Sequence, residues 1–240
     1  MALQGNQATR AVIFALYGTL MAFPVAEFDA TLTAMAGDLG IADGAFRAAW
    51  SAIYPAFESG AAPTIESALA ELGHRTGHAP GMAGVPGAAD RWRAFQRESF
   101  RPREDAVTTI TRLRCDGYRT GLISNAPPEV PSLWQASDLA QLFDVAVFSC
   151  AVRLRKPDPA IYQFACRQLG VPAGACWYVG DGGSRELSGA RETGMRVVQL
   201  DVFAEDPAEA RRLEREPWSG RRMASLAELV VLVAGDSSSA

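Results

Sequence analysis

A chain of 240 residues with 48% hydrophobic side chains is long enough to bury a substantial core, as one large domain or as a domain with an insert. With 23 Lys and Arg against 27 Asp and Glu, the net charge of −4 gives no basic footprint for nucleic acid, and no apolar run reaches the roughly 18 residues of a membrane span. Neither is expected as a partner. The N-terminal MALQGNQATR has no hydrophobic signal region, and Cys115, Cys150, Cys166 and Cys176 form no CxxC pair, so a cytoplasmic protein with reduced thiols is expected.

Residues 11–16 form an apolar run ending in a Gly-Thr turn and read as the first strand. From about 21 to 101 the period is helical, with breaks at 40–44, 59–63 and the Gly/Pro/Ala-rich 78–89, and no convincing strand. This block reads as a helical insert that forms a lid. Beyond it, β-branched apolar runs alternate with helical segments, the pattern of a parallel sheet covered on both faces. Helices are predicted over 105–116, 131–141, 159–169 and 186–193, and strands over 119–124, 145–149, 177–180 and 196–200. Gly117, Gly170 and Gly194 fall where C-terminal caps belong. The charged run 205–222 reads as exposed helical or loop surface, 225–234 as a helix on the sheet, and 235–240 as a fraying end. The fold class is therefore α/β: a Rossmann-like parallel core of residues 8–20 and 102–235, with residues 21–101 inserted after the first strand.

Ligands of open parallel sheets bind beyond the carboxyl ends of the strands, so the residues just after each apolar run are the candidates. These are Ala15, Tyr17 and Thr19 after the first strand, Ser124 and Asn125 after the second, Lys156 beyond the third, and Asp181 and Glu186 after the fourth. A hydroxyl, an amide, an ammonium and two carboxylates suit a phosphate with a divalent cation. Lys156 and the hydroxyls offset phosphoryl charge, and Asp181 is a hard oxygen ligand of the kind Mg²⁺ prefers. Asp181 as a helix N-cap and Glu186 as a first-turn acid are the competing structural readings. His74 and His78 are four residues apart, but Gly77 intervenes and no third ligand is near, so no zinc site is expected. Phe46, Trp50, Tyr54, Phe57, Trp92 and Phe95 recur at helical intervals and read as packing, with one or two of them, together with Arg47, facing the site.

The order FALYGTL, LISNA, RKPDPAIY and YVGDGGSREL resembles the four signature motifs of the haloacid dehalogenase (HAD) superfamily, and the insert resembles its helical cap between motifs one and two. The resemblance implies an aspartate at the position of Ala15 that attacks phosphorus to form an aspartyl-phosphate. It also implies Mg²⁺ held by that carboxylate, by the main-chain carbonyl of Tyr17 and by Asp181, with Glu186 supporting through water. Ser124 and Lys156 would bind phosphoryl oxygens, and Thr19 would orient the first loop. Tyr17 departs from the pattern. Phosphatases usually place an acidic aspartate there, and a phenol with a pKa of about 10 is a poor substitute. Tyrosine in that slot is what the dehalogenases carry, and Arg47 lies about where they place a cap arginine for the substrate carboxylate. Asp181 and Glu186 argue the other way, because dehalogenases work without metal.

The resemblance thus favours Mg²⁺-dependent phosphate monoester hydrolysis of a small metabolite. A metal-free 2-haloacid dehalogenase and a non-catalytic phosphometabolite-binding protein are the alternatives. Alanine at residue 15 cannot attack, bind a metal or accept a proton, so the chain is expected to be inert. The methyl is that of a carboxylate changed to trap substrate, or that of a natural pseudoenzyme. Substrate and oligomeric state stay open.

Overall fold

The structure, a computed structural model, describes residues 10–78, 83–201 and 215–237. Strand β1 (Ala11–Phe14) is buried along its whole length. Because side chains alternate across a strand, Ala11, Ile13 and, beyond the strand, Ala15 join one core cluster, while Val12 and Phe14 join another.

The insert follows as α1 (Val25–Leu39), α2 (Asp43–Glu58), α3 (Ile65–Arg75) and α4 (Val85–Glu98). Its punctuation is local. Gly40 ends α1 in the left-handed conformation, Thr64 and Ser67 form a capping box at the start of α3, and Pro86 sits in the first turn of α4. The four helices share their own apolar core, including Phe46, Trp50, Phe57, Leu69 and Trp92. Met21 pairs with Pro102 in an antiparallel bridge, so the chain enters and leaves the insert side by side.

The core continues through α5 (Ala106–Cys115), β2 (Arg119–Ser124), α6 (Val130–Gln135), β3 (Val145–Phe148), α7 (Ser149–Val152), α8 (Pro159–Leu169), β4 (Cys176–Gly180), α9 (Glu186–Glu192), β5 (Arg196–Leu200), β6 (Arg221–Met223) and α10 (Glu228–Ser237). All neighbouring strands are parallel, in the order β3-β2-β1-β4-β5-β6. Ile110 of α5 and Leu229 of α10 pack with Val12 and Phe14, while Ile161 of α8 and Leu187 of α9 pack with Ile13. The result is a three-layer α/β core.

Three expectations change. The helix over 131–141 is two pieces, α6 and a 3₁₀ helix (Asp138–Leu142), separated by Ser137 in an extended conformation. The Ser137 hydroxyl donates to Trp134 O at 2.7 Å, the local side-chain bond that competes with helix continuation. A sixth strand, β6, lies at the end of the run read as exposed surface; only three residues long and polar, it has no apolar pattern to announce it. Helix α10 runs to Ser237, past the expected start of fraying. Residues 205–214 of that charged run with 202–204 before it, 79–82 of the third break in the insert, and both chain ends lie outside the described residues.

Candidate active site

The order of strands reverses at β1, with β2 and β3 on one side and β4 to β6 on the other. Ligands bind at such a switch point. Phe14 is in register with both Leu122 and Val179, so the tips of β1, β2 and β4 end side by side. A cavity of about 40 Å³ opens there, and Tyr17, Ser124, Asn125, Lys156, Asp181 and Glu186 all line it.

Ala15 continues the β1 ladder, its N–H donating to Val179 O at 2.8 Å, and its methyl is 1% exposed. The chain then turns: the N–H groups of Leu20 and Met21 both donate to Leu16 O, and Gly18 takes a positive φ of 76°. Thr19 is completely buried in this turn, and its hydroxyl has no hydrogen-bond partner among the described residues. From the far side of the insert, Arg103 donates to Thr19 O at 3.1 Å and fixes the turn.

Lys156 and Glu186 form the buried centre of the site. The Lys156 ammonium donates to Glu186 Oε2, with longer contacts to Tyr178 OH at 3.3 Å and Ile123 O at 3.4 Å. Tyr178 OH donates to the same Glu186 oxygen at 2.9 Å, and Gly182 N–H donates to Oε1 at 3.2 Å. Burial pushes the Glu186 carboxyl above the usual carboxylate range, against the pull of Lys156. Burial, reinforced by Glu186, pushes the Tyr178 phenol up as well, so it stays a donor. Gly180 makes room for this packing: a Cβ there would lie 2.2 Å from Glu186 Oε1.

Asp181 follows β4 directly and is 3% exposed. Its Oδ1 accepts Gly183 N–H at 3.2 Å, and its Oδ2 lies 3.9 Å from Arg215 Nε. Its main-chain carbonyl accepts from Arg215 at 2.7 Å and from Gln199 at 3.0 Å.

Asn125, on the cavity wall, also holds the loop of Lys156: Nδ2 donates to Lys156 O at 3.1 Å, and Oδ1 accepts Lys156 N–H at 2.9 Å. Two expected placements are corrected by their partners. Arg47 does not line the cavity. One helical turn after Asp43, it bonds Asp43 at 2.9 Å and reaches Asp29 on α1 at 2.9 Å, a cluster within the insert. The six insert aromatics likewise pack on one another, Trp92 lying 5.0 Å from Trp50, and none lines the cavity. The Tyr17 phenol donates to Gln96 Oε1 of α4 at 3.0 Å, tying core to insert. His78 bonds Thr76, and no group of three or more His, Cys, Asp or Glu that could hold a metal ion occurs among the described residues.

Sequence reasoning missed Tyr178, Glu58, Gln96 and Arg215. Tyr178 looks like one more apolar strand residue, and Glu58 and Gln96 are unmarked polar positions on helices. Each owes its place to the tertiary fold.

The donor set does not fit a divalent cation as the chain stands. Mg²⁺ is commonly held through one or two carboxylates; here residue 15 offers none, and both Glu186 oxygens are engaged by Lys156, Tyr178 and Gly182. Asp181 remains with Arg215 close by, and Glu58, the other carboxylate at the cavity, is paired with Arg155 at 2.9 Å.

A model of the haloacid dehalogenase-like hydrolases matches residues 9–194. The (S)-2-haloacid dehalogenase 4A of Burkholderia cepacia is 32% identical over 104 residues, 43% of this chain and 45% of that protein. The phosphoserine phosphatase of Thermus thermophilus is 29% identical over 130 residues, 50% of this chain and 52% of that protein. These matches span about half the length of each relative. A 2-haloacid dehalogenase structure from Pseudomonas syringae pv. tomato superimposes with a TM-score of 0.68 at 20% identity, over 95% of this chain and 99% of that one, which is a likeness of fold.

Proposed function

Because this chain belongs to the haloacid dehalogenase-like hydrolase family, we propose that its site is that of a phosphate-monoester hydrolase with a methyl at the attacking position, so that it binds a small phosphorylated metabolite without cleaving it. The observation that carries this is the meeting of Lys156 and Asp181 in one cavity at the tips of β1 and β4, where Ala15 supplies no oxygen. The Lys156 ammonium and the Ser124 hydroxyl line the same cavity and supply donors of the kind that bind phosphoryl oxygens.

Lys156 would give up its long contacts to Ile123 O and Tyr178 OH for a phosphoryl oxygen, keeping Glu186 as its anchor. Ser124, 2% exposed at the end of β2, would donate its hydroxyl. Mg²⁺ belongs in this reading only with a carboxylate restored at residue 15, where it would neutralise phosphoryl charge. Loss of a catalytic nucleophile costs on the order of a million-fold in other hydrolases, which makes the chain silent as it stands.

One observation favours a second reading, metal-free removal of halide from a 2-haloacid. Tyr17 is bound to Gln96 and has no acidic proton to give a leaving alcohol. The variant Ala15→Asp separates the two. Phosphate release from an aryl phosphate that needs Mg²⁺ and exceeds the unaltered chain by about 10⁴-fold or more supports the first. Chloride release from a 2-chloroacid, indifferent to chelator, replaces it with the second. Silence in both assays from a folded variant overturns both.

A further inference from the structure

The four cysteines of the chain are not equivalent. Cys115 is exposed, and Cys150 is half-buried in α7, where burial pushes its thiol up to about 11. Cys166 and Cys176 are buried together, with their sulfurs in hydrogen-bond contact at 4.0 Å. A buried thiol by itself is small apolar packing. In this pair each sulfur has the other as a partner.

The turn between α8 and β4 brings the two positions together. Cys166 stands in the last turn of α8, and Gly170 ends that helix in the left-handed conformation, so that Val171 N–H donates back to Cys166 O at 3.1 Å. A short 3₁₀ turn (Ala173–Ala175) then leads into Cys176, the first residue of β4. The Cys176 thiol has two acceptors in reach, Pro172 O at 3.4 Å and the Cys166 sulfur. A thiolate at Cys166 draws that proton. The bond from Cys176, with the charge of neighbouring Arg167, outweighs burial and holds the Cys166 thiol below its ordinary value. The same bond, with burial, pushes Cys176 well above. One sulfur is thus suited to attack, and the other keeps its proton.

Cys166 is 6% exposed, and Pro172 and Gly174 in the connecting turn are exposed, so the pair lies near the surface. A disulfide needs its sulfurs about 2.0 Å apart, which leaves a gap of about 2 Å for rotation about the two Cα–Cβ bonds to close. Cys176 is in register with Ala11, at the end of β4 remote from Asp181, so the chemistry of the pair is independent of what the site binds.

We propose that Cys166 and Cys176 are a redox-active dithiol, a modification site at which a peroxide converts the pair into an intrachain disulfide joining α8 to β4. Cys166, as thiolate, attacks one oxygen of hydrogen peroxide; the O–O bond breaks, and hydroxide leaves with the bonding pair, giving a sulfenic acid. The Cys176 sulfur then displaces the sulfenic oxygen, which departs as water with the Cys176 proton. The two thiols lose two electrons to one peroxide. Two waters form, because the hydroxide takes up the proton that Cys166 released.

The unaltered chain is treated with hydrogen peroxide near neutral pH, alkylated, and digested with trypsin without reductant. Two of the four thiols are expected to be lost to alkylation, and mass analysis is expected to show the peptides of Cys166 and Cys176 joined, lighter by two hydrogens and separated again by dithiothreitol. Cys176→Ser is expected to stop the sequence at Cys166, whose sulfenic acid is then labelled by dimedone, whereas Cys166→Ser leaves Cys176 a thiol. Peroxide that oxidises Cys115 while Cys166 and Cys176 stay open to alkylation overturns the proposal, and so does a linkage that lacks either of them. Dimedone on Cys176 in Cys166→Ser overturns the assignment of Cys166 as the attacking sulfur. Where a serine variant does not fold, the peptide map of the unaltered chain decides alone.

Discussion

The buried hydroxyl of Thr19 has no hydrogen-bond partner among the described residues, in a turn that begins at the methyl of Ala15. Leaving a buried donor unsatisfied costs about 1–3 kcal/mol. Such a group is expected where a side-chain acceptor belongs to the same turn and is missing from it. Thr19→Val is therefore expected to raise the stability of the chain by about 1 kcal/mol, read as a higher urea midpoint at unchanged slope. In the Ala15→Asp background the sign reverses, because the hydroxyl then has an acceptor, and Thr19→Val lowers both stability and activity. The same sign in both backgrounds refutes the pairing of residues 15 and 19. At this scale placement at the strand tips was most readable where a polar residue ends an apolar run, as Ser124 and Asp181 do. It misled at Arg47, whose spacing from Asp43 makes an intrahelical pair instead of a ligand contact.

Elements were legible in proportion to their apolar period. The five longer strands and α8, capped by Asp158 and ended by Gly170, lie within a residue or two of where their patterns put them. Strand β6 and the break at Ser137 depend on polar residues and on single side-chain bonds, which carry no period. Asp144 is a bond of that kind. Just before β3, its Oδ2 accepts Thr120 N–H at 2.7 Å and Arg114 Nη1 at 3.1 Å, tying β3 to β2 and α5. Burial alone would raise its pKa, but the Thr120 N–H and the Arg114 charge outweigh burial and hold it below the ordinary 3.8. With the folded value the lower one, the unfolded chain takes up the proton first. The stabilisation is present above 3.8 and is lost as pH falls through the folded value. Asp144→Asn is thus expected to cost about 0.5–1 kcal/mol at pH 7, because solvent screens this exposed group, with the difference from the unaltered chain closing in acid. A difference that stays constant from pH 7 into the acid range contradicts this.

The whole molecule is two packed bodies joined at a seam, with a site completed from both sides of it. The bridge between Met21 and Pro102, the bond from Tyr17 to Gln96 and the pair of Arg155 with Glu58 all cross that seam. Backbone contact crosses it too. Gly60 has a φ of 72°, and a Cβ there would lie 2.3 Å from Cys150 O. Gly60→Ala is expected to cost about 1–3 kcal/mol and to weaken ligand binding with it, measured by thermal unfolding and by phosphate titration. Loss of stability with affinity unchanged contradicts a site shared across the seam. The insert was readable from sequence as a block of helical period, whereas its contribution of Glu58 and Gln96 to the seam follows from docking and not from pattern. The most direct test of a hydrolase silenced at residue 15 is acid quenching of Ala15→Asp during turnover of an aryl phosphate, followed by mass analysis of the peptide containing residue 15. The account predicts one phosphoryl group on that residue, absent from the unaltered chain. Phosphate release with the peptide unmodified, or an inert variant that is folded and binds phosphate, would contradict it.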